Sequence, residues 1–117
     1  MRSDIRMKTK LRDVELTLQQ VADAPLIEHY YNYDEDKTTH VSSVAQYWAE
    51  TIGNDWFCKK DKDGFYTMEM QNCALASAIS TARELRRYED KMEKLMNRMM
   101  KRIEDLEKEV ERLKGGE

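Results

Sequence analysis

The chain has one proline, four glycines, two cysteines and two histidines among its 117 residues. Each scarcity removes a class of protein. With Pro25 the only proline and so few glycines, long stretches contain nothing that stops a helix. Two cysteines cannot make a disulfide framework. No apolar run exceeds a few residues, so no segment reads as membrane-spanning. The first dozen residues are basic, yet no apolar stretch follows them, which argues against a secretory signal. A cytoplasmic, reducing location is therefore expected. Cys58 and Cys73 read there as free thiols that pack like small apolar side chains.

Charge, in contrast, is plentiful. Charged residues make up 37% of the chain, and the formal net charge is −3. A balance so near neutral argues against whole-protein attraction to nucleic acid. The charges are unevenly placed. Arg2, Arg6, Lys8, Lys10 and Arg12 face Asp4 alone, a formal +4 within residues 1–12. Asp13, Glu15, Asp23, Glu28, Asp34, Glu35 and Asp36 then give residues 13–36 a formal −7, with no Lys or Arg. Such blocks mark solvated faces, partner contacts or pairing between subunits.

The strongest pattern is a heptad repeat. Leu75, Ala82, Met96, Ile103 and Val110 recur every seven residues, broken by Glu89. Ala78, Leu85, Met92, Met99, Leu106 and Leu113 follow three residues behind. No Gly or Pro falls between Phe65 and Lys114. This is the pattern of a coiled-coil helix, expected to start between Thr67 and Asn72 and to end at Lys114 before Gly115-Gly116. About 45 helical residues extend roughly 65–70 Å, more than a head of about 70 residues can cover. The oligomerisation residues are Leu85, Met92, Met96, Met99, Ile103, Leu106, Val110 and Leu113.

The last two heptads place Ile103 and Val110 at a positions and Leu106 and Leu113 at d, which suits two parallel strands. In that pairing Arg102 at g meets Glu107 at e of the partner, and Glu109 meets Lys114. A parallel homodimer is favoured on those grounds. Leu95 and Met100 widen the stripe and leave a trimer or tetramer open. Glu89 is unfavourable in a dry dimer core. Ala74, Leu75, Ala78, Ile79 and Ala82 make a small-residue face, and residues 72–88 are expected to pack on the head while residues 92–113 form the coil.

In the head, Met7, Leu11, Val14, Leu18 and Val21 are spaced 4, 3, 4, 3 and predict an amphipathic helix over residues 5–23, ended by Pro25. Residues 26–33 read as a short strand or ordered loop. Thr38 or Thr39 is a possible cap for a second helix that ends at Gly53 and has Val41, Val44, Ala45, Trp48 and Ile52 on one face. Asp61-Lys-Asp-Gly between aromatic segments predicts a β-hairpin. With residues 26–33 it would make a three-stranded sheet. The fold class is thus α+β and helix-rich: a compact head, residues 1–70, followed by a long helix, residues 71–117, that forms an oligomeric coiled coil.

Little in the sequence supports catalysis. Cys58 with His40 lacks any local nucleophile–base signature. His29, His40, Cys58 and Cys73 lack the close paired spacing of zinc modules. Asp61, Asp63 and Gly64 resemble part of a calcium loop, but Lys59 and Met70 fall where carboxylate ligands are needed. No glycine-rich phosphate loop is present, so no cofactor and no metal are expected. Arg83, Arg86 and Arg87 open a basic stretch ahead of the distal heptads and are the candidate nucleic-acid contacts, but acids interrupt it and an uncharged, Ala-rich segment precedes it, unlike a continuous groove-binding helix.

Nine aromatic residues fall within residues 30–66. Tyr30, Tyr31, Tyr33, Tyr47, Trp48 and Trp56 are the candidate partner-binding residues, because Tyr and Trp dominate binding hot spots. The reading is a non-enzymatic, homo-oligomeric protein-binding protein: an adaptor, inhibitor or assembly factor, such as a phage or viral accessory factor. Its partners would be itself and another protein, with nucleic acid as the lesser alternative and no membrane. The alternatives are a DNA-binding regulator with a coiled-coil dimerisation helix, and a small-ligand-binding oligomer.

Overall fold

The computed structural model describes residues 3–53 and 55–115; Arg2 of the basic cluster and Gly116 of the glycine pair lie outside them. The chain is a mixed α+β protein with short antiparallel sheets in the head and a long C-terminal helix. After a 3₁₀ turn at Ile5–Met7 come helix α1 (Leu18–Ala22), strands β1 (Ile27–His29) and β2 (His40–Ser42), and a π-helical segment at Tyr47–Ile52. Strands β3 (Cys58–Lys60) and β4 (Tyr66–Met68) follow, and then helix α2, Met70–Gly115. Two compact units divide between Thr81 and Ala82.

The β3–β4 hairpin forms where Asp-Gly predicts it. Cys58 pairs with Met68 and Lys60 with Tyr66. The Asp61 carboxylate accepts the N–H groups of Asp63 (2.9 Å) and Phe65 (3.0 Å), and Gly64 adopts φ +84°, which a side chain would resist. Gly53, at φ +78°, ends the π-helical segment as expected.

Three expectations for the head need correction. Residues 5–23 are not one helix. Leu11 of the predicted stripe is 90% exposed, whereas Leu16, which lies off the stripe, is in the core. Residues 8–17 carry no helix, and helix begins only after Thr17. Thr17 Oγ1 accepts the Gln20 N–H (3.1 Å) while Gln20 Oε1 accepts the Thr17 N–H (2.8 Å), a reciprocal cap that sets the start. The cations upstream sit where a helix dipole would disfavour them.

The second helix also starts late. Thr38 donates its N–H to Asp34 Oδ2 (3.1 Å) and so belongs to the β1–β2 loop. His40–Ser42 then pair with β1, His29 opposite His40 and Ile27 opposite Ser42. Because β1 takes that partner, the head has two separate two-stranded sheets in place of one sheet of three.

The core is small. Leu16, Trp48, Phe57, Cys58 and Cys73 are its buried hydrophobic residues among those described. The rings of Trp48 and Phe57 meet edge to face, 5.5 Å apart. Ser80 is the buried polar residue, and its Oγ accepts the Leu16 N–H (2.9 Å), tying the N-terminal segment to α2. Both cysteines are free and buried. No helix of the described residues is long and apolar enough to cross a membrane.

Candidate interaction surfaces

In the unit beginning at Ala82, α2 has no other element to pack against. Leu85, Met96, Met99, Ile103, Leu106, Val110 and Leu113 keep between 49% and 64% of their surface exposed, and Met92 is half-buried. Leu95 and Met100 on the flanks are exposed as well. Burying an aliphatic side chain stabilises by about 1.5–3 kcal/mol. Seven such residues left exposed along the seam are a large unsatisfied term. The Glu84–Arg87 and Glu109–Arg112 ion pairs at i,i+3 are largely exposed and worth only a few tenths of a kcal/mol each.

The segment Met70–Thr81 of α2 presents a different face to the head from the one the small-residue pattern implied. Cys73 and Ser80 are buried, and Ala76 and Ser77 half-buried. Ala74, Leu75, Ala78 and Ile79 remain exposed. Within the unit ending at Thr81 the packing helix is Met70–Thr81, and it packs through Cys73, Ala76, Ser77 and Ser80.

The six candidate partner-binding aromatics fall into two groups. Trp48 is 4% exposed, and its indole N–H donates to Ser43 Oγ (2.9 Å). Tyr47 donates its hydroxyl to the Gln20 carbonyl (2.5 Å), and burial pushes its phenol up from the ordinary value. Trp56 packs against the core, with the Arg12 guanidinium 5.3 Å over its ring. These three hold the fold. Tyr30, Tyr31 and Tyr33 are exposed just beyond β1. Tyr31 stacks on Tyr33 at 5.2 Å and meets His29 edge-on at 5.1 Å and His40 at 5.4 Å. The two histidines thus join a surface aromatic cluster that spacing alone could not reveal, because the His29–His40 pairing depends on the unforeseen strand β2. Lys37 Nζ lies 5.8 Å over the Tyr30 ring. Glu28, Asp34, Glu35 and Asp36 come from the same hairpin, so the cluster sits in an acidic setting.

A groove of about 510 Å³ opens beside this cluster, lined by His29, Tyr31, Ser42, Ser43, Tyr66 and Met68 among others. His29 Nε2 and Ser42 Oγ are hydrogen-bonded at its edge (2.8 Å). The thiols are remote from nucleophilic chemistry. Burial pushes Cys73 up to about 11 and raises Cys58, whose Sγ donates to the Ala45 carbonyl at 3.5 Å. Both therefore stay protonated at neutral pH. Among the described residues, no group of three or more His, Cys, Asp or Glu side chains is arranged to hold a metal ion. Arg83, Arg86 and Arg87 are exposed, and Arg87 is paired with Glu84 at 3.1 Å.

Comparison with known proteins finds no match for this chain among family models, curated proteins or solved structures.

Proposed function

We propose that this chain is a non-enzymatic homo-oligomer, a parallel two-stranded coiled coil, whose heads bind another protein as an adaptor, inhibitor or assembly factor. One observation carries the reading. The helix beyond Ala82 exposes a heptad seam, interrupted at Glu89, while the charges flanking its last two heptads are complementary to a second copy of itself. In a parallel, in-register pair, Arg102 meets Glu107 and Glu109 meets Lys114 of the other strand, and both contacts attract. Isolated helices gain little from propensity alone, so association is what would hold this one.

The partner surface of the head is the Tyr30, Tyr31 and Tyr33 face. The hairpin that carries these rings also carries Glu28, Asp34, Glu35 and Asp36, a combination that favours a protein segment rich in Lys or Arg, since cations are drawn both to aromatic faces and to carboxylates. Lys37 over Tyr30 already makes a contact of that kind. Two heads on one coil would engage a repeated or dimeric partner with the gain that linkage provides.

Thermal unfolding followed by circular dichroism at several protein concentrations tests the oligomer. Folding coupled to association raises Tm by roughly 3–6 °C per tenfold increase in concentration, because mass action contributes about 1.4 kcal/mol to a cooperative unit of two chains. A Tm that does not move over a hundredfold range overturns the proposal.

A further inference from the structure

We infer that the paired seam does not stop at the distal heptads but continues to Leu75, along the face of α2 opposite the one the head occupies, and that its occupant there is the same face of a second copy of this chain in parallel register. The inference rests on the homo-oligomer reading and adds to it where the contact begins. Sequence reasoning placed residues 72–88 against the head and began the coil at Met92. The structure separates those two roles by face.

The geometry comes from the burial pattern. At 100° per residue, Cys73, Ala76, Ser77 and Ser80 cluster about one direction of the helix, and all four are buried or half-buried by the head. Leu75, Ala78, Ile79 and Ala82 cluster about 180° away, and all four are exposed, Leu75 at 60% and Ile79 at 42%. The head therefore covers the back of the helix and leaves the heptad positions free. Leu75 and Ala82 are a positions, Ala78 is a d position, and the register runs on through Leu85 without insertion or deletion.

Composition points the same way. Met70 to Ala82 contains no Asp, Glu, Lys or Arg, in a chain that is 37% charged. A helix covered on one side only should carry charge on the other. Here the open side carries Ala74, Leu75, Ala78, Ile79 and Ala82, which is the composition of a covered face. Alanines at core positions let two helix axes approach to the short end of the usual 8–10 Å range. The flanking positions fit a copy of the same helix, because Ala74 at g meets Ile79 at e of the partner, an apolar pair with no charge to desolvate.

Single-cysteine cross-linking tests the inference on the full chain. The native thiols are buried, so the wild-type chain serves as background. Ala78→Cys reports the head-proximal seam, Ala82→Cys repeats the test at an a position, and Leu106→Cys reports the distal seam. Arg83→Cys, exposed and off the seam, measures collision. Under mild oxidation the three seam variants are expected to form covalent dimers roughly tenfold or more faster than Arg83→Cys, given the millimolar effective concentration within a pair. Cross-linking of Leu106→Cys without Ala78→Cys or Ala82→Cys overturns the inference and leaves the homo-oligomer standing. No cross-linking at any seam position overturns the parallel homo-oligomer too, since only an in-register parallel pair brings each residue to its own copy along the whole seam. Equal rates for Arg83→Cys and the seam variants reduce the signal to collision and overturn the inference as well.

Discussion

The two units of this protein meet the same requirement by opposite means. The unit ending at Thr81 finds apolar partners within its own chain, with Trp48 on Phe57 and Leu16 tied to Ser80 across 64 residues of sequence. The unit beginning at Ala82 is, among the described residues, a single helix, and most of its apolar seam residues are exposed. The head reaches a core of only five buried hydrophobic residues among those described, and none of its large side chains is below 2% exposed. The distal helix has the longer apolar seam and no core at all. On the proposed homo-oligomer reading, folding and association are parts of one process: the head has a small core, and the seam would be buried only between chains.

Substitutions that act on one unit and spare the other would sharpen that contrast. The largest effect is expected from Ile103→Lys, which removes two buried aliphatic side chains per pair and places two cations at the seam, a loss of about 3–6 kcal/mol of association. Sedimentation velocity should then show the monomer, with the tryptophan emission of the head unchanged. Trp48→Ala is the counterpart in the head, expected to cost about 3–5 kcal/mol by opening a cavity beside Phe57. Urea denaturation followed by fluorescence of the remaining Trp56 would read it, and distal cross-linking through Leu106→Cys should survive.

Ser80→Ala tests the hydrogen bond that ties the N-terminal segment to α2. It leaves the buried Leu16 N–H without an acceptor, at an expected cost of about 1–3 kcal/mol in the same denaturation experiment. A loss near zero would mean that the N-terminal segment is held without this bond. Tyr33→Ala should do least, within about 0.5 kcal/mol of the parent, because Tyr33 is 81% exposed. A cost above about 1.5 kcal/mol would assign Tyr33 to the fold and remove it from the proposed partner surface.

The legible parts of the fold were those with strong local signals. The heptads and the absence of breakers from Tyr66 to Lys114 made the long helix plain, and Asp61-Lys-Asp-Gly made the hairpin plain. The N-terminal stripe misled because Met7, Leu11 and Val14 have helical spacing but no surface to pack on, while Leu16 is buried through a bond to Ser80, 64 residues away. A correct signal was present in Thr17-Leu-Gln-Gln, a Thr three residues before a Gln, which is the sequence form of the reciprocal cap that starts α1. Strand β2 was obscured because Thr38 and Thr39 look like helix caps, and only pairing with β1 settles the competition. For the candidate surfaces, spacing marked the seam but not which face of α2 the head would take. It likewise could not separate Tyr47, Trp48 and Trp56, which hold the core, from Tyr30, Tyr31 and Tyr33, which do not.

The central claim is that the exposed seam is covered by a second copy of the chain. Sedimentation equilibrium of the full-length protein over a range of micromolar concentrations tests it most directly. The account predicts one species of twice the 13.9 kDa chain mass. A mass of 13.9 kDa throughout that range would contradict it, and a threefold mass would contradict the two-stranded pairing of Arg102 with Glu107 and Glu109 with Lys114.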